Sequence, residues 1–447
     1  MRRFLYRNFR AVAGLQHRLG RRLTPAGQLV AVGLLAAGIV GPNTRLTVGY
    51  QAFAFLAALL LVAALAVLRR PPSLEVSRRL PRFATAGEPL SYTVRVRNPG
   101  RRPAAGLALL EDLADPRPSF EEFVSMPEPG EARRNRFDRT VGYPRWSWLL
   151  ELNRRAAIAE EPVATVPPGG EVEARLTLSP QRRGRLTLTG VTVARRDPLG
   201  LARALRPLAA PASLLILPRR YPLPPLTLPG ARRYQRGGIP LAQSVGDSEE
   251  FASLRDYRPG DPLKRVHWRS WARTGRPVVR EYHDEFFVRH ALVLDTFAAA
   301  PTAAFEEAVS IAASFACTVG TQDSLLDLLV AGPEAHPITV GRGVGHVDRV
   351  LEILAAVRPC RDRPFATLAR LVLEQPGALS GVICILLAWD AARRELVDRL
   401  RALAVPVLVL VVTDPAQPGG VVDVPDPPAV HRLEVGRVGE GLMGLRT

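Results

Sequence analysis

Apolar and polar positions alternate along this chain in three different rhythms, and each rhythm predicts a different kind of structure. Leu23 to Val40 and Leu46 to Leu68 are almost continuously apolar and are separated only by Gly41-Pro-Asn-Thr-Arg45. At 1.5 Å per residue the second run reaches ~34 Å, enough for a bilayer core of about 30 Å. The first is shorter and holds Gln28, yet qualifies, so residues 23–70 predict a two-helix transmembrane hairpin. A signal peptide also opens with basic residues, but here the basic region is long and two apolar runs follow it. The alternative is a helical pair buried in a soluble domain.

From 71 to 218 the period falls to two. Tyr92, Val94 and Val96 alternate with Thr93, Arg95 and Arg97 before an Asn98-Pro99-Gly100 turn, and Val172, Ala174, Leu176 and Leu178 alternate with Glu173, Arg175 and Thr177. Such segments are half-buried antiparallel strands. Arg185 to Val193 and Ser213 to Leu217 are further strands, with a turn at Asp197-Pro-Leu-Gly200, and together they predict an immunoglobulin-like β-sandwich. Asp115 to Arg155 has no clear period and reads as an insertion or long loop. Residues 219–243 form a Pro-rich linker with Tyr221-Pro-Leu-Pro-Pro-Leu-Thr-Leu-Pro229, extended and semi-stiff.

The third rhythm fills 286–447, where strands and helices take turns. Ala291 to Leu294, Leu325 to Val330, Gly381 to Ala388 and Pro406 to Val412 read as strands. Phe305, Val309, Ala312 and Ala316 share one helical face, and Val347, Val350, Leu351, Leu354 and Val357 share another. Ala391 to Ala404 is a third helix. This alternation predicts a doubly wound parallel sheet, with Asp295, Asp390 and Asp414 at the carboxyl ends of strands where ligands gather in such folds.

Charge adds to this picture. The formal net charge is +18, nearly all from arginine, since Lys264 is the single lysine. Such a balance suits anionic lipid, nucleic acid or acidic protein partners. Residues 1–22 carry seven arginines and no acid, and Arg69 and Arg70 follow the second apolar run. The positive-inside rule then puts both soluble ends in the cytoplasm, for a two-pass membrane protein. Cys317, Cys360 and Cys384 show neither metal nor redox spacing. No G-x-x-x-x-G-K-[ST] motif occurs, so any ATP hydrolysis must come from a partner. Gly341-Arg-Gly-Val-Gly345 lacks the third glycine of a dinucleotide loop, and neither H-E-x-x-H nor G-x-S-x-G is present.

The stretch 244–285, Ser244 to Glu285, follows none of the three rhythms. Arginines alternate with acids and with Tyr257, Trp268 and Trp271, and Arg258-Pro-Gly-Asp261 is turn chemistry that reverses the chain. Glu250, Phe251, Leu254, Arg255, Tyr257, Pro259, Gly260, Asp261, Arg265, Trp268, Ala272, Arg273, Thr274 and Gly275 form a pattern that resembles the signature of the bacterial domain-of-unknown-function-58 family. Trp271 departs from it, standing where family members usually place a small residue. The resemblance implies a membrane-anchored protein of the bacterial plasma (inner) membrane with a β-sandwich and a von Willebrand factor A-like domain, often found with MoxR-type AAA+ ATPases.

In von Willebrand factor A-type domains the first strand ends in Asp-x-Ser-x-Ser, whose oxygens help to hold a divalent cation. Here the residues are Asp295-Thr296-Phe297-Ala298-Ala299, and the later loop offers Arg342 and His346 instead of a threonine. Hard cations want oxygen ligands, so no metal or other cofactor is expected, and Asp295 and Asp390 are weak metal candidates whose plainer role is capping the following helices. For the signature stretch three readings compete. In a structural plug, Arg255, Asp261, Arg265 and Arg273 form an ion-pair network with Trp268 beneath and fasten the domains together. In a docking surface, Arg and Trp are partner anchors. In a nucleic-acid strip, the interspersed acids would blunt phosphate attraction, which disfavours it. A hydrolase using His267, His283 or His290 with Ser270 and Asp261 or Asp284 is the rival from another class. The sequence as a whole points to a non-catalytic membrane-anchored adaptor, and the resemblance makes a MoxR-type AAA+ ATPase its expected protein partner.

Overall fold

In the computed structural model the basic segment is a helix, α1 (Arg2–Arg22), and the apolar runs are α2 (Pro25–Val40) and α3 (Thr47–Val67). The structure describes residues 1–40, 47–69, 71–224, 251–259, 261, 263, 266–282, 288–319, 324–330, 338–340, 344–374, 379–415 and 430–445. The Gly41 to Arg45 turn, most of the Pro-rich linker, Glu250, Gly260, Arg265, His283, Asp284, Gly341 and Arg342 lie outside them. Val48–Val67 is long and apolar enough to cross a membrane by length and composition, and Pro25–Ile39 is apolar but shorter. The N–H of Gly27 donates to Thr24 Oγ1 at 3.1 Å, capping α2, while that hydroxyl donates to the Gly200 carbonyl at 2.6 Å. Beside it Leu23 bridges to Ala202, and Val30 and Leu59 pack with Ala63 on Leu201 and Ala202.

The period-two region forms nine strands: β1 (Glu75–Arg79), β2 (Phe83–Thr85), β3 (Leu90–Arg97), β4 (Leu107–Leu113), β5 (Ala156–Ile158), β6 (Glu161–Val163), β7 (Glu171–Pro180), β8 (Gly184–Arg196) and β9 (Arg203–Leu217). They make sheets ordered β1-β3-β7-β5 and β2-β9-β8-β4-β6. The order β1-β3-β7 against β9-β8-β4 is the A-B-E and G-F-C arrangement of immunoglobulin-like sandwiches. Val94, Val96, Leu176 and Leu178 from one sheet share a single core with Leu109, Val191, Val193 and Ile216 from the other. Glu111 is among the buried charged positions of this unit. Arg78 on β1 pairs with Glu111 on β4 at 2.5 Å, and Tyr92 donates to the other Glu111 oxygen at 2.6 Å. Burial raises the Glu111 pKa above the usual carboxylate range, more than the bond from Tyr92 and the charge of Arg78 lower it.

The long-loop expectation for 115–155 is corrected: the insertion is helical, with α4 (Phe120–Ser125), α5 (Arg136–Val141) and α6 (Tyr143–Asn153). Local chemistry explains why. Ser119 and Glu122 form a reciprocal capping box, Asn135 caps α5, and Gly142 in the left-handed region ends α5 and starts α6. Helices of six residues show little periodicity, which hides them in the sequence. Phe123, Trp146 and Leu149 from the insertion bury Tyr6 of α1, whose hydroxyl donates to the Pro118 carbonyl at 3.1 Å.

The C-terminal region starts with an antiparallel pair, β10 (Phe251–Asp256) and β11 (Val278–Tyr282), enclosing α7 (Trp268–Thr274). Next come β12 (Val288–Leu294), α8 (Ala303–Val319), β13 (Ser324–Val330), β14 (Ile338–Val340), α9 (Val344–Ala356), α10 (Ala366–Leu373), β15 (Gly381–Leu386), α11 (Ala391–Ala402), β16 (Val407–Thr413), β17 (His431–Glu434) and α12 (Val438–Met443). The sheet order is β14-β13-β12-β15-β16-β17, parallel except for β14. Counted from β12 this is 3-2-1-4-5-6, the doubly wound order, and the crossover direction reverses between β12 and β15. Ala291 and Val293 pack with α10 and α11, while α8 buries Phe305, Val309 and Ala312.

Candidate functional site

The signature stretch folds around one carboxylate. The Arg258 to Asp261 turn closes through a 3.0 Å bond from the Asp261 N–H to the Arg258 carbonyl. Arg255 reaches across it with both Nη atoms, at 2.7 and 2.8 Å from the two Asp261 oxygens, and the Arg258 N–H donates to the same carboxylate at 2.9 Å. Hydrogen bonding from Arg255, then from the Arg258 backbone, pulls the Asp261 pKa down to about 2. Tyr257 is half-buried, its N–H bonded to the Pro277 carbonyl at 2.9 Å, and Pro259 is exposed.

The arms that pair are β10 and β11, with α7 between the turn and the return strand. This placement corrects the expectation that Trp268 lies beneath an ion-pair network. Trp268 is 59% exposed and stacks on Trp271, with ring centroids 5.2 Å apart and planes at 19°. Val266 and Val279 fill the buried positions under the hairpin, and Trp271, one helical turn on, gives Trp268 a face to stack on instead. Arg273 is exposed on α7 and outside the Arg255–Asp261 pair. His267 Nδ1 lies 2.6 Å from Ser270 Oγ, across the first turn of α7, where the Ser270 N–H also bonds the His267 carbonyl. His290 is held within buried β12, where burial lowers its pKa despite a backbone bond with Gly381 that raises it.

A second cluster stands at the switch point. Asp295 follows β12 and is fully buried, and its own N–H bonds the Ile385 carbonyl of β15 at 2.9 Å. One carboxylate oxygen accepts the Phe297 N–H at 3.0 Å; the other accepts the Leu387 N–H at 3.0 Å and Arg393 Nε at 2.7 Å. Arg393 Nη1 meets Asp390 at 2.5 Å, and its guanidinium lies 4.6 Å from the centre of the Phe365 ring. Burial lowers the Arg393 pKa, but Asp295 and Asp390 outweigh it, so the group is held charged. A guanidinium thus sits between the two carboxylates that were the metal candidates.

The capping expectation holds for one of them. Asp390 caps α11, accepting the Arg393 N–H at 3.0 Å, but Asp295 precedes α8 by eight residues and binds the loop and the end of β15 instead. Asp414 follows β16 directly. Among the described residues no group of three or more His, Cys, Asp or Glu could hold a metal ion. Cys384, on β15, is fully buried, and burial with the nearby Asp295 charge pushes its thiol up to about 12, so it is no thiolate nucleophile. Phe365 also lines a cavity of about 620 Å³ between α10 and α11, floored by Ala369, Leu373 and Leu396.

Both clusters fall in one matched segment. Residues 253–440 match the family described as protein of unknown function DUF58. The DUF58 region therefore takes in β10 to α12, and the signature hairpin opens it. An uncharacterized protein of Bacillus subtilis (strain 168), YeaD, is 27% identical over 146 residues, and the match covers 32% of this chain and 36% of that protein's length. Among solved structures, red sea bream transglutaminase is 16% identical over 32% of this chain and 15% of its own, at a TM-score of 0.17. The CARDB domain of the PF1109 protein from Pyrococcus furiosus is 12% identical over 33% of this chain and 90% of its own, at 0.17. The PapD-like domain of human CEP192 is 10% identical over 33% and 87%, also at 0.17. The strand order, rather than these likenesses, defines the sandwich.

Arg393 and Phe365 are the site residues that sequence reasoning missed. A signal for Arg393 was present: a cation three residues after a helix cap opposes the helix dipole, so an arginine there needs carboxylate partners.

Proposed function

We propose that this chain is a non-catalytic, membrane-anchored adaptor whose DUF58 region, von Willebrand factor A-like, binds another protein. The observation that carries the reading is Arg393, whose guanidinium takes the position between Asp295 and Asp390 that a divalent cation would need. Asp295 already accepts three protein donors, so little lone-pair capacity remains for a metal. The strand order with an antiparallel third strand, β14, and the Asp after the first strand support the von Willebrand factor A-like assignment. We assign α2 and α3 to a two-pass anchor in the bacterial plasma membrane, with the soluble regions cytoplasmic, on the arginines at both outer ends. The family resemblance motivates a MoxR-type AAA+ ATPase as the partner, and the exposed Trp268 with the Arg255–Asp261 clasp supplies residues typical of docking anchors. Co-purification from solubilised membranes under ATP-trapping conditions tests this: an AAA+ ATPase is recovered with the full chain and lost with Trp268→Ala. Recovery of no AAA+ protein would overturn the partner assignment.

One contact favours a second reading, a membrane-associated hydrolase. His267 Nδ1 and Ser270 Oγ stand at the distance a nucleophile and its base require. Their position on a single helical turn supports a local capping role instead. Turnover of a generic ester by the purified chain, abolished by Ser270→Ala, would favour the hydrolase; activity that is absent or indifferent to that change removes it. Nucleic-acid binding has no comparable observation behind it.

A further inference from the structure

Helix α1 has two apolar faces, and the sandwich unit covers one of them. Tyr6, Phe9 and Ala13 pack on the helical insertion, and Arg10 and Arg21 reach Asp115 and Asp112 from the same side. At about 100° per residue, Met1, Phe4, Val12, Leu15 and Leu19 fall within roughly 80° of one another on the far side of the helix. All five are exposed, Phe4 at 66% and Leu15 at 58%. Arg7, Arg18 and Arg22 border this stripe along one edge and are exposed too.

We infer that this stripe is an interfacial membrane-binding face, and that its ligand is the anionic phospholipid of the leaflet that α2 enters. The inference rests on the anchoring reading above and adds the lipid class and the helix that meets it. Three observations converge on a lipid surface. The helix is continuous in sequence with an apolar one: α1 ends at Arg22 and α2 begins at Pro25, with Leu29, Val32, Leu35 and Ile39 all exposed on it. Its charge is one-sided, with seven arginines and no acid in residues 1–22. An apolar stripe bordered by arginine is the pattern of helices lying in the headgroup plane, with apolar side chains reaching the acyl boundary and guanidinium groups at the phosphates. A second copy of the chain is a poorer occupant, because stripe-to-stripe pairing would bring two sets of arginines together.

Photo-crosslinking of the full chain in proteoliposomes tests the inference. In a Leu15→p-benzoylphenylalanine variant, irradiation is expected to give lipid adducts whose yield rises when phosphatidylglycerol is mixed into phosphatidylcholine. The same group at Phe9 should crosslink within the chain. Adding Arg7→Gln and Arg18→Gln should cut the phosphatidylglycerol-dependent part of the Leu15 yield by about fivefold per arginine removed. Crosslinks between two copies of the chain at position 15, or the absence of lipid adducts there while the chain stays in the membrane through alkaline carbonate extraction, would overturn the inference alone. Release of the chain by carbonate would instead remove the anchoring reading, and the inference with it.

Discussion

Each of the two units holds a buried arginine against carboxylate, and the two arrangements differ in what surrounds them. In the sandwich, Arg78 and Glu111 are both almost completely enclosed, with Tyr92 bonded to the second Glu111 oxygen. In the DUF58 region, Arg393 and Asp295 are buried but the other partner, Asp390, is half exposed. The first lies in the middle of a core between two sheets. The second lies at the switch point of a parallel sheet, where the strand ends leave a crevice. A closed pair fixes a fold, whereas a pair with one wet side can be exchanged for another cation or read by a partner.

The largest expected effect comes from breaking the closed pair. Glu111→Ala should cost about 3–5 kcal/mol, because it strands a charged guanidinium between two sheets, and Arg78→Met with Glu111→Leu should recover most of that. Thermal melting of the detergent-solubilised chain measures both. For the open pair, Arg393→Ala should cost less, about 2 kcal/mol, since Asp295 keeps two backbone donors. It should also create a response absent from the parent: millimolar magnesium or manganese raises the melting temperature of the variant only. An unresponsive variant would mean that Arg393 does not stand in for a cation.

Acid sharpens the comparison in two steps. Burial depresses the His290 pKa, so below about 6.5 the unfolded chain takes up a proton that the folded chain refuses. Stability should therefore fall as pH drops through that region, and His290→Leu should flatten part of the slope between pH ~7.5 and ~5.5. The Asp261 carboxylate behaves in the usual acidic sense. Its pKa of about 2 means the clasp with Arg255 is at full strength above the ordinary carboxylate range and is lost as pH falls toward 2. Asp261→Asn should remove this acid-limb dependence. The smallest effect is expected for Trp268→Ala, within about 0.5 kcal/mol, because the ring is mostly solvated and its removal empties no core. A larger loss would make the stack with Trp271 part of the fold.

The architecture was legible wherever long periodic runs carried it. Tyr92, Val94 and Val96 point into the sandwich as their alternation requires, and Phe305, Val309, Ala312 and Ala316 all lie buried on one face of α8. Short elements were not legible. The helices of the insertion are set by caps and by Tyr6 packing from more than a hundred residues away, and β14, β17, α10 and α12 are three to eight residues long. At the candidate site, the missing hydroxyls after Asp295 were readable, but the replacement was not. Arg393 stands 98 positions further on, and only the doubly wound crossover brings its guanidinium to Asp295.

The join at Leu23 to Thr24 has a mechanical meaning. An apolar helix linked to a β-sandwich by loose chain lets that sandwich swivel like a kite on a string. Here the peptide that starts α2 is bonded to the Gly200 to Ala202 corner of the sandwich. Torque applied to the sandwich is therefore delivered to the root of α2, which makes this unit a lever with a stiff hinge pin.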